Sequence, residues 1–255
     1  MLARRRVMLR AICSFVLFNL SFSSIAVSAA QTQSILVGSY LTPGIIEADG
    51  SGMFNRLNKL IFKELEQPYD LVIQPVHRIK KSLVDGHVKT YFPEMWESLP
   101  GRHSDYVVSQ PIFYKKVVLF TTKASGFTTL QDLEGKFLGA VDGFSYGFDI
   151  IKNRKLNILY QNSDDVNIRL LLNGRLDGVL GGYPGTVIAL NRYADKNKIK
   201  YDLTKPVAVL ESFYVCPNTK AGIALCEKIS LGIEALKSKG ILVLDSVTGD
   251  SKFNP

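Results

Sequence analysis

Side chains able to do chemistry are sparse in this sequence, and their spacing limits what they could do. Arg102, within Gly101-Arg102-His103-Ser104-Asp105, offers two parallel N–H donors that match a planar carboxylate, with Asp105 as an alternative internal partner. The turn Asp142-Gly143-Phe144-Ser145-Tyr146-Gly147 places glycines where backbone can approach a ligand, at the start of an expected helix whose free N–H groups attract anions. Within it, Ser145 adds a hydroxyl, and Phe144 or Tyr146 an apolar wall. Glu94 and Glu97 bracket Trp96, the only tryptophan, and read either as cation-attracting carboxylates or as a solvated loop pair. Trp96 and Tyr183 supply flat surfaces for apolar or cation–π contact, and Tyr40 closes a short apolar run. His77, His87 and His103 are scattered, with no pair at a metal-ligand spacing, so no metal is expected. No Ser, His and Asp follow the logic of a catalytic triad, and no glycine-rich loop leads into Lys-Ser or Lys-Thr. No cofactor is called for.

Alternating strand and helix signals surround these residues, the pattern of an α/β protein with mostly parallel sheets. Strands are expected at 34–40, 69–75, 117–122, 136–141, 156–160, 177–180 and 207–215. Met53, Phe54, Leu57, Leu60, Ile61 and Leu65 repeat at helical spacing, with Asp49 or Ser51 available as a cap. A short helix from Arg78 should stop at Gly86, and Ser163-Asp164-Asp165 should cap a helix ending at Gly174, its acids suiting the helix dipole. Further helices are expected in 124–135, 186–194 and 220–239, followed by a polar tail. No internal repeat or low-complexity linker interrupts the chain.

With 46% hydrophobic and 21% charged residues over 255 positions, the chain is neither a disordered tail nor a coiled coil. Its net charge of +8 would suit a nucleic-acid partner, but Arg4, Arg5, Arg6 and Arg10 supply half of it. They precede an apolar stretch, Ala11 to Val27, and the small residues Ser28-Ala29-Ala30, which together make a cleavable secretory signal peptide over residues 1–30. The mature chain, 225 residues at +4, is therefore expected to be exported to the periplasm, with no nucleic-acid partner. Cys216 and Cys226 then form an even pair in an oxidising space, either bridged or as two buried thiols.

Five segments in order carry a family likeness: DGSGMFNRL (49–57), QPVHRIKKSLVDGHV (74–88), GRHSDYVVSQPIFYKKVVLF (101–120), TTLQDLEGKFLGAVDGFSYG (128–147) and LLNGRLDGVLGGYP (171–184). The chain resembles the family 3 solute-binding proteins, type 2 periplasmic binding proteins that include the amino-acid-binding components of ABC importers. The resemblance spans 34–245. It implies a two-lobed periplasmic-binding-protein-like clamshell with two hinge crossings, lobe 1 being 31–120 plus 206–255 and lobe 2 being 121–205, closing over a ligand. It also implies a carboxylate grip for Arg102, which stands seven residues before Ser109 of Ser109-Gln110-Pro111, and a cleft position for Tyr40, Phe144 and Ser145.

Two departures stand against the family pattern. The usual Ser/Thr-rich stretch before the arginine is Phe92-Pro93-Glu94-Met95-Trp96-Glu97 here, and the usual acidic partner of a ligand ammonium falls at Gly182. Glu94 is the candidate to replace it, with Trp96 and Tyr183 as ligand walls. The resemblance thus implies a non-enzymatic, monomeric protein that captures a small polar metabolite, amino-acid-like or otherwise carboxylate or cationic, for an ABC permease. The alternatives are a ligand sensor for a membrane receptor, or a periplasmic enzyme similar to cyclohexadienyl dehydratases, with Glu94 as acid/base and Arg102 as anchor.

Overall fold

Short apolar runs separated by amphipathic segments build a two-lobed α/β fold. The structure, a computed structural model, describes residues 33–254, so the signal peptide expected at 1–30 lies outside the described residues. The first part of the chain forms β1 (Ile35–Ser39), α1 (Met53–Glu64), β2 (Tyr69–Ile73), α2 (Val76–Val84), β3 (Thr90–Glu94) and β4 (Tyr106–Val108). Then come β5 (Phe113–Thr122), β6 (Phe137–Val141), α3 (Phe148–Ile151), β7 (Asn157–Gln161), α4 (Asp164–Leu172), β8 (Gly178–Gly182) and α5 (Gly185–Leu190). The chain closes with β9 (Ile199–Lys200), β10 (Ala208–Pro217), α6 (Lys220–Ser238), β11 (Leu242–Asp245) and β12 (Asp250–Phe253).

Strand pairing follows the order β2-β1-β3-β10-β5-β8-β6-β7. Lobe 1 holds β2, β1, β3 and the end of β10. Its core packs Val37 against Phe54, Leu57 and Ile61 of α1 and Ile229 and Ile233 of α6. Lobe 2 holds β8, β6 and β7, with Ile168 and Leu171 of α4 packed on Val179 and Phe120. The long strands β5 and β10 join the lobes. They pair antiparallel from Phe113↔Ser212 to Val117↔Ala208, after which β5 pairs with β8, while β10 pairs with β3 and β4 at its other end. Both lobes share these two adjacent strands, the place where the resemblance puts its two hinge crossings.

Local signals hold at several element ends. Ser163 Oγ accepts from Val166 N at 3.3 Å to cap α4, and α2 stops before Gly86, whose φ of +76° suits glycine. At α1 the cap position is Gly52, with no side-chain bond, because Asp49 accepts from Ser51 instead. Cys216 and Cys226 are bridged across a Cα–Cα distance of 6.1 Å, tying the end of β10 to α6.

Several elements differ from the sequence reading. β5 begins at Phe113, not Val117, because its first half pairs with β10. Residues 124–135 form only 3₁₀ turns at Lys123–Ser125 and Gln131–Leu133. β3, whose proline argues against a strand, is fully buried; its registered partners fall at Thr90, Tyr91 and Glu94, sparing Pro93 the donor it lacks. The expected polar tail is the β11–β12 hairpin, which braces the crossing: Asp250 pairs with Lys116 at 2.6 Å and Ser251 Oγ accepts from Tyr114 N at 2.8 Å.

Candidate functional site

The carboxyl ends of β1, β3, β6 and β8 converge between the lobes, where open α/β sheets place their ligand sites. The cleft there has an inner chamber of about 70 Å³ and an outer one of about 410 Å³, both open to solvent. Tyr40, Thr42, Phe144, Asp164 and Gly185 border both chambers.

Among the residues lining the inner chamber, two are of the acidic or basic types, Lys115 and Asp164. Lys115 projects from the crossing strand β5. Neighbouring Lys116 points the other way to Asp250, as strand alternation requires. Lys115 Nζ donates to Ser145 O at 2.7 Å and lies 5.4 Å from the Phe144 ring centroid and 4.8 Å from that of Tyr146. The walls around it strip its solvent and lower its pKa to about 8, although the charges of Asp164 and Glu94 work in the opposite direction. Asp164, the first residue of α4, accepts from Thr186 Oγ1 at 2.9 Å, and Thr186 Oγ1 itself accepts from Gly182 N at 2.9 Å. Desolvation raises the Asp164 carboxyl to about 6, against the lowering effects of Thr186 and Lys115. Lys115 and Asp164 are not in ion-pair contact with each other or with any other group among the described residues, apart from the long-range attraction both feel.

Gly182 is the third part of this arrangement. A Cβ there would come within 2.6 Å of Lys115 Cε, so the glycine leaves room for the lysine side chain. The backbone position at which the family pattern carries an acid is here the floor beneath a cation.

Of the residues singled out from sequence, Tyr40, Phe144 and Tyr183 line the inner chamber. Tyr40 OH donates to Pro93 O at 3.0 Å, and burial holds its phenol far above the usual tyrosine range. Ser145 is buried beneath the chamber; its carbonyl receives Lys115, and its hydroxyl has no protein partner. The other three lie away from the chamber lining. Arg102 sits on an exposed 3₁₀ turn with its side chain 83% exposed and pairs with Asp105 at 3.0 Å, the internal partner three residues along. Glu94 is 1% exposed and turned into lobe 1, where it pairs with Lys80 at 2.8 Å and accepts from Met95 N, Tyr91 OH and Ser98 Oγ. Trp96 packs edge-on to His103 at 4.9 Å on the surface. Sequence reasoning passed over Lys115, which falls before the strand expected at 117–122, and read Asp164 as a helix-cap acid. The lysine pair Lys115-Lys116 inside the otherwise apolar run Phe113–Phe120 was the available signal for the first.

The lobes touch across the cleft mouth. The Tyr40 and Phe144 rings are 5.6 Å apart, and His77 of α2 meets Asp142 at 2.9 Å. Gly143, with φ of +78°, lets the lobe 2 turn approach α2 so closely that a Cβ would lie 2.5 Å from Val76 Cγ1. Among the described residues, no group of three His, Cys, Asp or Glu side chains is placed to hold a metal.

No protein-family model matches the chain, and no curated protein matches it in sequence. Solved structures do. The GluR0 ligand-binding core from Nostoc punctiforme in complex with L-glutamate superposes with a TM-score of 0.68 at 17% identity, covering 81% of this chain and 94% of that one. A substrate-binding protein of an ABC uptake transporter from Streptococcus pneumoniae with bound histidine gives 0.64 at 22% identity, covering 81% and 88%. A histidine kinase sensor domain with similarity to periplasmic binding proteins gives 0.68 at 16% identity, covering 82% and 92%. What these proteins share with this chain is the two-lobed fold of the family 3 solute-binding proteins.

Proposed function

We propose that this is a periplasmic solute-binding protein that captures a small zwitterionic or carboxylate-bearing metabolite between its lobes, partitioned at 31–120 plus 206–255 and 121–205. The observation that carries this reading is the unpaired Lys115 and Asp164 on one chamber wall: an ammonium for a ligand carboxylate and a carboxylate for a ligand ammonium. Tyr40, Phe144 and Tyr183 enclose the ligand, and Thr186 is a positioning residue that aims Asp164. Arg102 takes no part. Export follows from the signal peptide, which predicts a mature N-terminus at Ala30 or Gln31.

The enzymatic alternative loses its proposed pair, because Glu94 and Arg102 do not line the chamber. A sensing role stays alongside transport, favoured by the likeness to a histidine kinase sensor domain. The test is a thermal-shift screen of the mature protein against metabolites, followed by calorimetry on the hits. A hit should raise the melting temperature in the wild type and fail to do so in Lys115→Met and Asp164→Asn. A hit bound equally well by both variants would place the site elsewhere. Crosslinking in cells to a permease or to a receptor separates import from sensing.

A further inference from the structure

The inner chamber divides sharply in chemistry between its two walls. Its charged side chains come from the crossing strand and lobe 2; the lobe 1 wall, made of Tyr40, Thr42, Ile45, Phe54, Met95 and Phe113, carries none. Most polar groups of that wall are already engaged. Tyr40 OH is committed to Pro93 O, and Ser212 Oγ to Met95 Sδ at 3.4 Å. Glu94, the nearest lobe 1 carboxylate, is held inward by Lys80 and three further donors. Thr42 alone keeps a side-chain hydroxyl without a protein partner among the described residues of this wall.

The wall is also stiff. Phe54 and Phe113 meet edge-on at 5.3 Å, and Phe54 N donates to Ile45 O at 2.7 Å, so helix α1 fixes the turn that carries Ile45. The same turn is closed by Thr42 N donating to Ile46 O at 3.1 Å. An apolar wall with no charged side chain, and only the Thr42 hydroxyl free, offers no counter-charge, so a ligand charge placed against it would lose its water without an ionic partner in return.

We infer that the site takes a zwitterion with an uncharged apolar or aromatic body, its charged head on Lys115 and Asp164 and its body against Ile45, Phe54, Met95 and Phe113. This rests on the solute-binding reading and adds the ligand class and its orientation: head toward lobe 2, tail toward lobe 1. Discrimination against a charged tail should reach roughly a hundredfold or more, because the penalty is an unpaired charge and not a missing methylene.

The experiment is calorimetry on the wild-type mature protein at pH 7 with four probes: L-phenylalanine, L-leucine, L-glutamate and L-arginine. Phenylacetate and phenethylamine serve as head-group controls. Phenylalanine or leucine should bind at least about a hundredfold tighter than glutamate or arginine, and each control should bind more weakly than phenylalanine because it leaves Asp164 or Lys115 unmatched. Ile45→Asp, checked for folding by circular dichroism, should move the preference toward arginine; the wild-type ranking decides the matter if that variant does not fold. Glutamate or arginine binding as tightly as the apolar pair, with loss in Lys115→Met or Asp164→Asn, would overturn this inference and leave the solute-binding reading standing. Binding of none of the four also overturns it. A blank metabolite screen in addition would overturn the reading beneath it.

Discussion

Affinity for a zwitterion should be bell-shaped in pH, with one limb owned by Asp164 and the other by Lys115. The ligand ammonium needs an ionised Asp164. With that carboxyl near 6, lowering the pH from 7 to 5 reduces its ionised fraction from about nine-tenths to about one-tenth, and binding should weaken about tenfold. The ligand carboxylate needs a protonated Lys115. With that ammonium near 8, raising the pH from 7 to 9 removes a similar share of the charge and should again weaken binding about tenfold. The maximum lies between pH 6 and 8. The ligand-free protein should respond in the opposite sense. A carboxyl raised above its unfolded value favours the folded state when protonated, so stability falls as pH rises from about 4 to 6. An ammonium lowered below its unfolded value makes stability rise as pH increases from about 8 to 10.

Calorimetry from pH 5 to 9 at constant ionic strength reads the profile, and the same titrations in two buffers of different ionisation enthalpy count the protons taken up or released. The ligand's own ammonium begins to titrate near the alkaline end, so the assignment rests on variants. Asp164→Asn should lose the acid limb and keep the other. Lys115→Arg, charged at every pH used, should flatten the part of the alkaline limb that belongs to the protein. A flat profile, or an acid limb that persists in Asp164→Asn, would refute the reasoning.

Lys115→Met should abolish the ligand-induced thermal shift while stabilising the ligand-free protein by about 1 kcal/mol, a rise of roughly 2–4 °C in a domain of this size, because it removes a desolvated charge that no carboxylate neutralises. Arg102→Ala should leave ligand affinity unchanged and stability within about 0.5 kcal/mol, as measured by calorimetry and thermal unfolding, since its one partner is a surface ion pair with Asp105. Reducing the Cys216–Cys226 bridge, which closes a separation of 10 residues, should lower stability by about 3 kcal/mol in the chain-entropy model and the melting temperature by on the order of 6 °C. Gly143→Ala forces a Cβ onto Val76 at positive φ, so small-angle scattering should show a more open ligand-free molecule and calorimetry a weaker ligand.

The alternation of strands and helices was legible because periodicity is local: the runs that became β1, β6 and β8 announce themselves within a few residues. What escaped is what depends on distant partners. Pro93 makes β3 look unlike a strand, yet it falls between registered pairs to β1 and β10, which no local window contains. The β11–β12 hairpin is polar in sequence because one of its jobs is to place Asp250 on Lys116, more than a hundred residues earlier. The site divides the same way. Tyr40, Phe144 and Tyr183 follow the ends of β1, β6 and β8 and line the chamber, and the turn and family likeness that singled them out are local features of the sequence. Which of Lys115 and Lys116 enters the cleft is a matter of register, and register is fixed by pairing with β8 and β10.

In the proposed site, the two departures from the family pattern, at 92–97 and at Gly182, follow from one physical change. An acid at position 182 would sit where Lys115 Cε passes, and would neutralise the lysine inside the protein instead of leaving it for a ligand. Glycine there frees both the space and the charge. If, as proposed, the cation comes from the crossing strand, no arginine on the loop after β3 is required, and Arg102 pairs locally with Asp105. Glu94 follows the same logic: a carboxylate at the end of β3 facing the chamber would compete for Lys115, and its four donors in lobe 1 hold it out of reach. Gly182→Asp tests this coupling directly. It should quench Lys115 internally and cost ligand affinity at least as much as Lys115→Met, whereas a chain in which positions 115 and 182 act independently would lose less, or gain affinity for the ligand ammonium.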